Sequence, residues 1–289
     1  MRRPTPPAIA GIALAVCLLA GCAQPPVAPP LPPRAAAAID ANQRAGSYFR
    51  RGDFELAAQQ YREALRLAQS IEDADTIAAN AINLSVAYQR LGRHDDARAV
   101  LAASIDGSAL SFSQSRLAQA ALRRAVLDFE QKRGASAAEW LARAESQCTQ
   151  GCAIAAAIHN LRGQLELGAG RFDAAAANAQ LALAAARAGA DPIETANALR
   201  LAGHAAIAGG NGGGAITSLN EALAIDHGLA QPHKILLDLT ALGRAYALAG
   251  DTSAARGYFE RALAVANAER DTTAASELRQ LAAALPAGR

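Results

Sequence analysis

Aromatic residues are scarce in this chain, at 4% of 289 residues, and β-branched residues show little clustering. Both shortages argue against sheets, whose strands draw on those residue types. Apolar residues still make up 52%, and the excess is mostly alanine, the best helix former. An all-α chain with close-packed helices follows. Charge of one sign is also missing, with 28 Lys+Arg against 26 Asp+Glu. Without the leading segment that carries Arg2 and Arg3, the balance is 26 against 26. A neutral chain with no basic tract lacks the phosphate-neutralising surface on which nucleic-acid binding rests. H-E-x-x-H and G-x-S-x-G are absent, and no carboxylate pair has a reason to converge. The histidines, His94, His159, His204, His227 and His233, make no compact ligand set. No catalytic residue, cofactor or metal is therefore expected.

A long apolar run is missing too. Ala8 to Ala20 is short for a membrane span but suits the core of a signal peptide, behind the basic Arg2 and Arg3. It ends in Leu19-Ala20-Gly21-Cys22, which resembles the lipobox of bacterial lipoproteins. The resemblance implies cleavage after residue 21 and acylation of Cys22, whose several acyl chains hold the mature protein firmly. Ala23 follows in place of an aspartate, which favours the outer membrane, facing the periplasm. Gln24 to Pro33, QPPVAPPLPP, reads as an extended tether. The expected divisions are 1–21 signal, 22–35 anchor and tether, 36–285 repeat domain and 286–289 tail.

What fills the rest is repetition. Ala57, Tyr61 and Ala64 recur as Ala97, Leu101 and Ser104, then Ala137, Leu141 and Ala144. The series continues with Ala175, Ala179 and Ala182, then Ala215, Leu219 and Ala222, then Ala255, Phe259 and Ala262. The leading alanines are 40, 40, 38, 40 and 40 residues apart. Spacings of four and three put each triplet on one helix face. Turns at Gly52, Gly92, Gly170, Gly210 and Gly250 precede these helices in step, each suited to a left-handed helix end. The third turn is displaced toward Gly134. Ala45 with Tyr48, Ser85 with Tyr88 and Gly243 with Tyr246 pair a small residue with an aromatic on the first helices. Gly163 and Gly203 keep the small position, but the aromatic slot holds Glu166 and Ala206, and Glu166 is expected to turn to solvent.

This pattern resembles the tetratricopeptide repeat (TPR) family from about Ala38 to Leu285. The resemblance implies a right-handed α-solenoid of about six helix-turn-helix units, with helices longer than the family's usual ones because the period is near 40. The expected helices are 36–51, 54–70, 74–91, 94–105, 112–132, 135–148, 152–168, 172–189, 193–209, 213–225, 232–249 and 252–268. A last helix over 271–285 starts at the capping cluster Asp271-Thr272-Thr273 and covers the open end with Leu278, Leu281 and Leu285.

Two cysteines remain after the signal and anchor, Cys148 and Cys152, separated by a turn. In an oxidising compartment a disulfide is the default. Free thiols and a redox or metal pair are the alternatives, although the spacing is not C-x-x-C and no histidine lies near enough in sequence to complete an obvious zinc site. Ala208 to Ala215, AGGNGGGA, follows a helix and lacks the preceding strand of a dinucleotide site, so it reads as a repeat turn. In TPR proteins the first helices line a concave groove that holds a peptide or protein. Carrying the phase of the sixth unit back places Asn160, Gln164, Asn197, Arg200, His204, Thr240 and Arg244 on that face, with Phe49, Gln89, Arg90 and Phe129 in the N-terminal half. Arginines and amides in line could grip a peptide backbone or carboxylate, or be merely hydrated. The expected function is a membrane-anchored periplasmic scaffold that binds a protein or peptide partner in envelope assembly, such as a pilus or secretion pore or cell-wall machinery. The alternative is an enzyme or small-molecule module using the same groove.

Overall fold

The six repeated triplets all turn inward, and none of their members is more than 7% exposed. The computed structural model describes residues 31–286 apart from Gly107 and Gln150. Arg2, Arg3, the Leu19–Cys22 motif with Cys22 itself, and the tether up to residue 30 lie outside the described residues, as do 287–289. Among the described residues the chain is helical throughout, without strands. The first three units pair α1 (Pro33–Arg50) with α2 (Phe54–Gln69), α3 (Ala74–Arg90) with α4 (His94–Leu101), and α5 (Gln114–Glu130) with α6 (Gly134–Gln147). The last three pair α7 (Ala155–Gly168) with α8 (Phe172–Ala188), α9 (Pro192–Ala208) with α10 (Gly212–Gly228), and α11 (Pro232–Leu248) with α12 (Thr252–Ala268). A closing helix, α13 (Thr272–Ala283), follows. Consecutive pairs stack into a right-handed α-solenoid. Helix α1 begins at the last proline of the tether run, where a missing N–H costs nothing.

Small residues on the first helices make room for large ones on the second. A Cβ on Gly203 would lie 2.5 Å from Leu219 Cγ, and one on Gly243 would lie 2.5 Å from Phe259 Cδ1. In the fourth unit the large slot holds only Ala179, and Leu201 of the next unit packs over Gly163 instead. The glycine-rich stretch is an inter-helix turn: Gly210 takes a left-handed φ of 80° and Asn211 caps α10 through Gly214 N–H. Gly212 is held to glycine by the Ala245 carbonyl of α11, 2.7 Å from where a Cβ would sit. Asp271 caps α13 through Ala274 N–H, Leu278 is buried, and Leu281 and Leu285 pack partly buried on the end of the core.

Ten of the twelve connections close in one way. The N–H five residues on bonds back to a carbonyl of the ending helix, as in Asp53 to Tyr48, Asp73 to Ala68, Arg93 to Tyr88 and Asp251 to Tyr246. The residue two before each next helix is left-handed. In the third unit that residue is Lys132, with φ 57°. The turn is therefore in register and not displaced to Gly134, which instead begins α6. Ala190 occupies the same conformation between α8 and α9 at φ 50°, with its methyl group a steric cost. Ala190→Gly is expected to raise the unfolding free energy by about 0.5–1 kcal/mol, the relieved strain exceeding glycine's entropy. A lower urea midpoint in the variant would refute this.

In two units the missing aromatic is replaced by an ion pair. In the second unit Arg93, at the turn, lies over the Tyr88 ring at 4.5 Å. In the third and fourth units the aromatic slot holds Asp128 and Glu166, and the turn arginine pairs with it: Arg133 with Asp128 at 3.8 Å, Arg171 with Glu166. Glu166 therefore does not turn to solvent, its side chain being 18% exposed.

Candidate functional site

The first helices of the last three units carry the predicted groove residues, and the structure divides them. Arg200 of α9 is buried and committed. Its Nε donates to Asp238 Oδ1 of α11 at 2.6 Å, and its Nη2 reaches Asp226 of α10. Nη1 donates to Asn197 Oδ1 at 3.0 Å. Arg200 was expected to face a partner; two buried carboxylates claim it because neither could stay ionised there alone. Asn160 is buried as well and donates to Glu194 of α9. Thr240 donates to the Leu236 carbonyl of its own helix. Gln164, Asn197 and His204 are half-buried, and Arg244 is exposed with no ion pair among the described residues.

The face thus keeps a smaller set of available donors, and one was not foreseen. Lys234, at the start of α11, donates to Asn197 Oδ1 at 3.1 Å. Burial holds its ammonium below the ordinary lysine range, and Arg200 lowers it further. Burial also pushes His204 down to about 4, with Arg200 and Arg244 adding to the shift, so the imidazole is neutral at pH 7. His233 is lowered by burial, then by Lys234 and by Arg90 of α3. Burial is the first cause of all three shifts, and the cations Arg200, Arg244, Lys234 and Arg90 add to it. The exposed guanidinium of Arg244, near His204, suits a carboxylate or a peptide carbonyl. Among the described residues no three His, Cys, Asp or Glu side chains stand together as metal ligands.

The N-terminal half is different. Phe49 meets Phe54 edge-on, with centroids 5.1 Å apart, and Arg90 lies over Phe54 at 4.7 Å. Between them and the cationic region, Arg123 of α5 donates to Ser85 Oγ at 2.8 Å and to Gln89, which in turn donates to Glu130. Burial brings Arg123 down to about 10. Arg123, Asp226, Lys234 and Asp238 were missed by sequence reasoning. One signal was available: Arg200 and Asp238 are 38 residues apart, as are Asn42 and Asn80, which bond at the first junction.

A cleft of about 720 Å³ lies elsewhere, at the edge of the stack. It is walled by the α6–α7 connection, where Cys148 and Cys152 are joined in a disulfide, and by Ala186, Gly189 and Asp191.

Residues 35–108 match the sequence profile of the tetratricopeptide repeat. No curated protein sequence matches the chain. Among solved structures, BtubC (BKLC) from P. vanneervenii is similar with a TM-score of 0.59 and 18% identity over 83% of this chain and 93% of that one. A Rap protein solved with competence and sporulation factor gives 0.62 and 15%, covering 84% of this chain and 69% of that one. PilW, a type IV pilus biogenesis factor, gives 0.52 and 23%, covering 74% and 96%. The fold is that of tetratricopeptide-repeat proteins.

Proposed function

We propose that this chain is a non-catalytic scaffold, anchored by lipid at Cys22 and facing the periplasm from the outer membrane, whose concave face holds a protein or peptide partner. The observation that carries the reading is the run of donors on α9 and α11, where Lys234 stands beside Asn197 and Arg244 near a neutral His204. Such groups bind a partner's carboxylates and carbonyls through charge-assisted bonds without reacting with them. A Rap protein of this fold was solved as a complex with competence and sporulation factor, and PilW acts in pilus biogenesis. Those likenesses support the choice of a scaffold and an envelope-assembly role. No helix among the described residues is long and apolar enough to cross a membrane.

The test is crosslinking in intact cells, followed by capture through the repeat domain. A discrete protein partner is expected, and Arg244→Ala should lower its affinity about tenfold, the loss of one charge-assisted bond. In the same cells, Cys22→Ser should move the protein to the soluble fraction. Recovery of no protein partner would defeat the scaffold reading, and an unchanged affinity would remove Arg244 from the interface.

A further inference from the structure

Two of the twelve connections depart from the shared turn, and both flank the third unit. After α4 the chain runs into a π-helical turn, Ala102–Asp106, before α5 begins at Gln114. After α6 it passes through the disulfide loop before α7 begins at Ala155. The first departure is well tied. Arg123 bonds Ser85 and Gln89, Ser113 donates to Asp75 at 2.9 Å, and Arg124 pairs with Asp106 at 2.6 Å.

The second is not. Helix α6 packs along little of α7, unlike α2 on α3, α8 on α9 or α10 on α11, and the cleft of about 720 Å³ opens there. Among the described residues one hydrogen-bonded side-chain pair crosses this joint, Arg162 to Glu145 at 2.7 Å. Helix α7 has no side-chain cap, and its first N–H, that of Ala155, donates to the Cys152 carbonyl at 3.2 Å. Cys148 caps the end of α6 and packs partly buried on an apolar core shared by α5, α6 and α7, in which Leu141 and Ala144 join Ile158 and Leu161. The bridge therefore ties the end of α6 to a residue three before the start of α7, with Cα atoms 5.3 Å apart. Its ring is short, so it constrains the unfolded chain little, and its effect is local to the joint.

We propose that the α6–α7 joint is a redox-controlled latch: with Cys148–Cys152 closed, the start of α7 is held against the end of α6 and the arms formed by units one to three and four to six keep one orientation, and with it open the joint bends over a wider range about the core that α5, α6 and α7 share. This rests on the groove reading above, because both arms line the groove and its curvature sets which partner fits. Opening needs a dithiol reductant. Its thiolate attacks one sulfur, a mixed disulfide forms and resolves, and two electrons and two protons pass to the chain, leaving two thiols here and a disulfide on the reductant.

Hydrogen exchange and solution X-ray scattering test the latch without any partner. The protein is compared as isolated, after dithiothreitol, and as Cys148→Ser/Cys152→Ser. Opening should raise exchange across residues 153–159 at least about tenfold while leaving 255–266 unchanged, and should broaden the distribution of interatomic distances. Superimposable exchange and scattering in all three states would overturn the latch and leave the groove reading standing. Arg244→Ala with full partner affinity would do the reverse. Dithiothreitol acts on the folded parent, so poor folding of the double variant would not block the comparison.

Discussion

Arg200→Ala is expected to lower the unfolding free energy by about 3–5 kcal/mol, more than removal of any exposed charge on the same face. The variant leaves Asp226 and Asp238, 2% and 0% exposed, facing each other with no cation between them. Asp238→Asn should be much milder, under about 1.5 kcal/mol at pH 7, because Arg200 keeps Asp226. Asp238 also makes stability depend on pH. Burial pushes its carboxyl up to about 6 against the pull of Arg200, whereas an unfolded aspartate titrates near 3.8. The folded chain thus binds this proton more tightly, so its contribution to stability grows as pH falls from about 6 to about 4. His204, held down at about 4, works oppositely: its contribution is lost as pH falls from 6.5 toward 4. The parent's own curve mixes the two, but the gap between the parent and Asp238→Asn isolates the carboxyl. Urea unfolding at pH 4.5 and 7 should show that gap widening at the lower pH; a gap of constant size would mean that Asp238 does not titrate there.

Phe259→Ala carries the other large effect. The ring fills the space over Gly243 and is 2% exposed, so its loss leaves a cavity and is expected to cost about 3–5 kcal/mol. In a stack where each unit touches only its neighbours, the damage should stay local. Amide exchange should rise in α11, α12 and α13 and hold steady in α1 to α3. A uniform rise along the chain would show that the solenoid unfolds as one cooperative body, against the independent-unit picture.

The register of the fold was readable because packing in each unit needs the same shapes at the same places. Ala255, Phe259 and Ala262 announce their own burial, since a four-three spacing leaves one apolar face with nowhere else to go. The glycine turns were legible for a similar reason. The third turn was misplaced because Lys132 accepts a left-handed backbone without being glycine, and composition gives no sign of that. Arg200 was misread more deeply. Its phase put it on the first-helix face correctly, but phase does not say whether two aspartates from other helices will close over it.

The sequence by itself determined the helices, their pairing into six units, the buried triplets and the capping helix, because these depend on periodicity and on neighbours close along the chain. Tertiary structure alone decided which polar groups remain available. Arg200 is consumed by Asp226 and Asp238, which come from the next two helices, and Asn160 by Glu194, whereas Lys234 is half-buried against Asn197 and Arg244 is left exposed. Burial and charge depend on everything packed nearby, so the state of a side chain on the groove is set only when the units stack. The α6–α7 joint belongs to the same class: its cysteines stand in the sequence, but the cleft they line exists only once the units have stacked.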